Sequence, residues 1–154
     1  MASLDPGQTR AGIVRRYLAA LNDGDIAGIV RLFGPIGEVV SPFLGLMPAP
    51  EFFAKLAAAS RRSDIEVFDV LVSTTAAPRA VAYLRYHWTL RDGTVVVFDC
   101  CDVFDFAQGP APDGSEPRIR RLTILYDTAP LRTEVTDNLS SLPEVSSVTL
   151  GQPG

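Results

Sequence analysis

The side chains able to do chemistry gather in one stretch of the chain. Residues 83–104 hold the sole histidine, His87, with Arg85, Asp102 and both cysteines, Cys100 and Cys101. Asp92-Gly93 lies midway between them and is a strong hairpin signal. A two-residue turn there pairs Arg91 with Thr94. It then sets Asp102 opposite Tyr83, Cys100 opposite Arg85, and Phe98 opposite His87. Directly paired residues share a face of the sheet. One face therefore carries Tyr83, Arg85, His87 and Thr89 with Val96, Phe98, Cys100, Asp102 and Phe104. The other carries Leu84, Tyr86, Trp88 and Leu90 with Val95, Val97, Asp99, Cys101 and Val103. The first face mixes charge with aromatic area. Two readings stand for it. Arg85 and Asp102 form a diagonal ion pair with His87 a bystander, or the face lines a pocket with a few polar groups on apolar walls. In the second reading His87, with a reference pKa of about 6.5, suits proton transfer.

Other chemistries find little support. The two cysteines are adjacent, so on a strand they point to opposite faces and are expected as free thiols. No metal-ligand spacing occurs, and neither a metal nor a cofactor is expected. Fourteen Lys+Arg stand against eighteen Asp+Glu, for a net charge of −4. That balance argues against a nucleic-acid surface. No apolar run approaches the ~20 residues that span a bilayer. The first ten residues lack the apolar core of a signal peptide. The expected setting is cytoplasmic and reducing, with no membrane partner.

The elements that position these groups follow from periodicity. Ile13, Val14, Tyr17, Leu18 and Leu21 mark one face of a helix over residues 9–22. Asp25 caps a second helix carrying Ile26, Ile29, Val30 and Phe33, which Gly34-Pro35 stops. A short strand is expected at Glu38–Ser41, and a third helix from Pro50 to about Ser60. Beyond Asp64 the pattern has period two. Strands are predicted at Ile65–Thr74, Arg79–Arg91, Thr94–Phe106 and Arg118–Tyr126, with a loop at Ala107–Pro117. Helices followed by consecutive strands indicate an α+β domain rather than alternating α/β. The domain is expected over residues 1–132. Residues 133–154 form a C-terminal tail whose last dozen residues are expected to be mobile. Both faces of the long hairpin hold apolar area, so helices should cover one and a second subunit the other, with Tyr86 and Trp88 on the dimer face.

The stretch from Ile13 to Phe33, IVRRYLAALNDGDIAGIVRLF, resembles the opening of ketosteroid isomerases. So does Cys101-Asp102-Val103-Phe104-Asp105-Phe106. These enzymes belong to the nuclear transport factor 2-like superfamily, with the SnoaL-like polyketide cyclases. Tyr126-Asp127-Thr128-Ala129-Pro130-Leu131-Arg132 is similar to the end of the last strand in that wider group. The resemblance implies a cone: a strongly bent antiparallel sheet wrapped around the N-terminal helices, with a deep pocket and frequent homodimers. It places Tyr17 and Asp102 at the two positions that donate hydrogen bonds to a dienolate oxygen, a division of labour well known for these isomerases. The base position falls on Ser41, and a serine hydroxyl is far too weak to remove a carbon-bound proton unaided. The candidate catalytic residues are therefore Asp102 and Tyr17 with His87 as the proton carrier. Ser41, Arg85, Phe98, Cys100, Ile124 and Tyr126 are the candidate ligand contacts. Asp127 is a further candidate acid at the strand end. The expected ligand is an apolar carbonyl compound turned over through an enolate. The alternative is a ligand-binding or dimerising module without chemistry.

Overall fold

The computed structural model describes residues 5–131. The expected tail, 133–154, lies outside them. Helix α1 spans Pro6–Asp23 and helix α2 spans Ile26–Arg31. Strand β1 (Phe33–Ser41) and short β2 (Gly45–Pro48) lead into α3 (Ala49–Ala59). The long strands β3 (Ser60–Val72), β4 (Arg79–Leu90) and β5 (Val95–Phe106) follow, then β6 (Ile119–Leu125) and a short 3₁₀ turn at Ala129–Leu131.

The helix ends obey local chemistry. The Asp5 carboxylate accepts from the Gly7 amide, and α1 stops where Gly24 takes φ 69°, a left-handed conformation that costs glycine little. Asp25 accepts from the Gly28 amide 2.9 Å away and starts α2. Helix α1 buries Ile13, Val14, Tyr17, Leu18 and Leu21, the stripe its spacing predicts.

The six strands run in the order β2-β1-β6-β5-β4-β3 and curl around α1 and α3. This is the α+β cone expected for the nuclear transport factor 2-like fold. One pairing is parallel, between β1 and β6, with Val39 beside Leu122. Strand β6 thus sits between the first strand of the chain and β5. Helix α2 also ends sooner than expected. Phe33 belongs to β1 and is buried against Phe53, 5.7 Å between ring centroids. Pro35 is therefore inside a strand region, where the pairing with β6 is interrupted between Phe33 and Glu38.

The β4–β5 hairpin corrects the expected register. Its loop has three residues, not two. The Leu90 amide donates to Thr94 O at 2.8 Å, and the Gly93 amide donates to Leu90 O at 2.9 Å. Gly93 takes φ 90°. This is a turn closed by a glycine bulge, the common three-residue alternative. Asp102 consequently faces Ala82, Phe98 faces Tyr86, Arg85 faces Asp99 and His87 faces Val97. A slip of one residue turns every β4 side chain to the other face relative to β5. The concave face now carries Leu84, Tyr86 and Trp88 with Phe98, Cys100 and Asp102. Tyr86 and Trp88 therefore do not belong to the outer face.

Candidate active site

The sheet and the helices do not close completely on each other. Between them lies a cavity of about 330 Å³, within the range of small-molecule sites. Tyr17 from α1 and Asp102 from β5 both line it. Ser41 comes from the end of β1, and Phe98 and Cys100 from β5. Ile124 from β6 and Tyr126 just beyond line it too.

Arg85 and His87 do not line the cavity. Both lie on the outer face, because the three-residue loop moves β4 by one position. Arg85 grips Asp99 through two hydrogen bonds of 2.7 and 3.2 Å, and its guanidinium lies over the Phe68 ring. That pair holds the Asp99 carboxyl below the usual range. His87 lies 3.8 Å from Glu66 across the outer face. Neither the diagonal Arg85–Asp102 pair nor a histidine base is present in the site. Asp127 is exposed and accepts from the Ala129 amide at 2.9 Å, the geometry of a turn.

Asp102 is 3% exposed and is the sole buried charged or polar residue among those described. The Cys100 thiol donates to its Oδ1 at 3.9 Å. No other hydrogen bond reaches it among the described residues. Burial in this apolar setting pushes its pKa up to about 7, and the thiol contact opposes that only weakly. Its neighbours respond in turn. Burial raises the Tyr17 hydroxyl well above its ordinary value, and the Asp102 charge raises it further. Burial likewise pushes up Cys100, Tyr86 and Tyr126. All three remain neutral donors at ordinary pH.

The Tyr17 ring is wedged edge-on between Phe104, at 5.0 Å, and Phe53, at 6.1 Å. Its hydroxyl has no hydrogen-bond partner among the described residues. Yet none of the sealed side-chain oxygens or nitrogens lacks a partner there. The hydroxyl therefore opens onto the cavity, fixed by its ring and free to donate. Ser41 is committed locally, its Oγ accepting from the Leu44 amide at 3.2 Å.

An aromatic wall faces these groups. Tyr86 stacks on Phe98 with planes 9° apart and centroids 5.4 Å apart. Phe98 continues to Tyr126 at 4.7 Å. Outer hydrogen bonds hold the wall in place. Tyr86 Oη meets Ser63 Oγ at 2.6 Å, and Trp88 Nε1 donates to Ser60 Oγ at 2.7 Å. Sequence reasoning missed Tyr86 and Trp88, which the two-residue turn would have put outside. It also missed the contribution of α3. Phe52, Lys55, Leu56 and Ala59 recur at helical spacing and all line the cavity. A lysine within that apolar stripe was the available signal.

The arrangement resembles known proteins throughout. The SnoaL-like domain family matches residues 14–110, and the chain belongs to that family. Among solved structures, SalBIII, an epoxide hydrolase/cyclase-like enzyme with a role in pyran ring formation in the polyether salinomycin, superposes with a TM-score of 0.62. It is 20% identical over 78% of this chain and 92% of that one. Bal32a, from a soil-derived mobile gene cassette, gives 0.63 at 21% identity, covering 79% and 92%. A ketosteroid isomerase-like protein from Erwinia carotovora atroseptica gives 0.60 at 16%, covering 80% and 98%. Identities this low carry the fold alone. No curated protein matches the chain significantly by sequence.

Proposed function

We propose that the protein moves a proton on an apolar carbonyl compound held in this cavity, by way of an enolate, with Asp102 as the proton carrier and Tyr17 as the donor to the carbonyl oxygen. The reaction class is isomerisation, cyclisation or elimination. One observation carries the reading: among the described residues Asp102 is the single carboxyl in the cavity wall, buried, weakly held, with its pKa near 7. A general acid–base group works best when its pKa lies near the working pH. With Arg85 and His87 on the outer face, no charged partner among the described residues ties Asp102 down. The Tyr17 hydroxyl, fixed by two rings and unpaired, is prepared to meet developing negative charge on oxygen without reorganising.

The test is hydrogen–deuterium exchange at the acidic carbon of 2-tetralone, a flat cyclic ketone, followed by NMR in D₂O. The protein should accelerate exchange above buffer. Asp102→Asn should lower the rate by about 10²–10⁴. Exchange no faster than in buffer, for a ketone shown to bind, would overturn the reading.

A second reading is supported by Ser41. A serine stands where the isomerases carry their base, and it is engaged with the Leu44 amide. On this reading the cavity binds its ligand without turnover. Binding of 2-tetralone with no accelerated exchange is its signature.

We also propose a homodimer through the outer sheet face. Val95, Val97, Tyr83 and Leu125 lie there 41–58% exposed. Such a grouping on a sheet face fits a subunit interface better than solvent.

A further inference from the structure

Among the described residues the cavity carries two charged side chains, and the proton-transfer reading uses only one of them. Lys55 lies on α3, half-buried, within the stripe that lines the cavity. Among the described residues it is the sole cation in the wall, and it forms no ion pair and no hydrogen bond. The other polar wall groups are largely spoken for. Ser41 accepts from Leu44, Tyr86 pairs with Ser63, and the Trp88 N–H pairs with Ser60. Lys55 and the Tyr17 and Tyr126 hydroxyls are left to recognise a ligand. Lys55 and Tyr17 come from different helices, α3 and α1, while Asp102 comes from the sheet.

We infer that the natural ligand is a flat, unsaturated carbonyl acid whose carboxylate pairs with Lys55 while its ring system lies on the aromatic wall. Three observations converge on this class. The stacked pair Tyr86–Phe98, extended by Tyr126, offers a broad π surface suited to a planar body. The free ammonium selects for an anion, and a half-buried one gains more from pairing than one in bulk water. A carbonyl elsewhere on the same body meets Tyr17 and Asp102. A carboxylate beside Asp102 would be repelled whenever Asp102 is ionised, so the anionic end belongs at Lys55. This inference rests on the pocket reading and adds the substrate class to it.

The experiment compares 2-naphthoate with methyl 2-naphthoate, its neutral ester, by calorimetry at low and moderate salt. The wild-type protein should bind the acid more tightly than the ester by about threefold to tenfold, the preference shrinking with salt. Lys55→Met should abolish the preference while leaving ester affinity unchanged. Lys55→Arg should keep it. An unchanged acid-to-ester ratio in Lys55→Met overturns the inference, and so does an ester that binds better than the acid. A drop in thermal stability of Lys55→Met with no change in that ratio also overturns it, because Lys55 then serves a partner within the chain. In each of those cases the ester still occupies the cavity and the pocket reading survives. Failure of both compounds to bind overturns the pocket reading as well.

Discussion

Cys100 and Asp102, two residues apart on β5, turn to the same concave face, and the Cys100 thiol points its hydrogen at Asp102 Oδ1 across 3.9 Å. A thiol is a weak donor. It offsets little of the cost of burying a carboxylate, so burial decides the outcome and Asp102 sits near pKa 7. A stronger donor, such as an arginine, would have lowered that value and removed the group from proton transfer near neutrality.

The raised pKa has a consequence for stability. In the folded protein Asp102 holds its proton up to about pH 7, whereas the unfolded chain releases it near 3.8. Between those values the folded state binds more protons, so stability falls as pH rises through that window. The penalty approaches about 4 kcal/mol at most above pH 7. Asp102→Asn should remove this slope. Thermal melts of wild type and variant from pH 4 to 8 check it: the gap between them should widen in favour of the variant as pH rises. Parallel curves would show that Asp102 is not buried as an acid.

Tyr17→Phe separates packing from chemistry. The ring contacts with Phe104 and Phe53 survive the change, and the lost hydroxyl has no partner among the described residues. Stability should change by less than about 1 kcal/mol. The tetralone exchange rate should nevertheless fall by about 10²–10³. Melting curves and the exchange assay, run on one preparation, read both effects.

Trp88 is the single tryptophan and lines the cavity. Its N–H is held by Ser60, whose own hydroxyl donates to Leu56 O at 2.5 Å. Ser60→Ala should cost about 1 kcal/mol by leaving the indole N–H unpaired. It should also shift the emission maximum, and it should alter quenching of Trp88 by bound ligand. Fluorescence alone measures all three.

Val97 stands 48% exposed on the outer face, opposite His87. Val97→Lys places a charge where the second copy would pack, and should convert the proposed dimer to a monomer in sedimentation velocity. Ligand affinity should persist, since Val97 does not line the cavity. A wild-type monomer at micromolar concentration would refute the proposed interface.

Much of the architecture was legible because it depends on periodicity. The stripe of α1 and the period-two run after Asp64 specify an α+β order, and the opening helices with the Asp102 strand point to the superfamily. Tyr17 and Asp102 fall on the same cavity because each is set by its own element's period. One extra loop residue turns Arg85 and His87 from the expected inner face to the outer one. Asp-Gly is compatible with both two- and three-residue hairpins, and only the choice between them decides which side chains of β4 turn inward. The spacing of Phe33 from Ile29 and Val30 fits a helix. Packing on Phe53 and pairing with Ile119 draw it into β1 instead. The parallel β1–β6 pair could not be read locally, since its partners lie some eighty positions apart and no short-range signal links them.

That parallel pair also governs the order of assembly. Strand β6 fills a slot between β1, made among the first forty residues, and β5. Until the ribosome has delivered residues 119–125, both neighbours expose unpaired backbone, an open invitation to intermolecular strand addition. Such long-range closure is slow to form. A truncation just before Ile119 should therefore give an aggregating chain rather than a smaller working one.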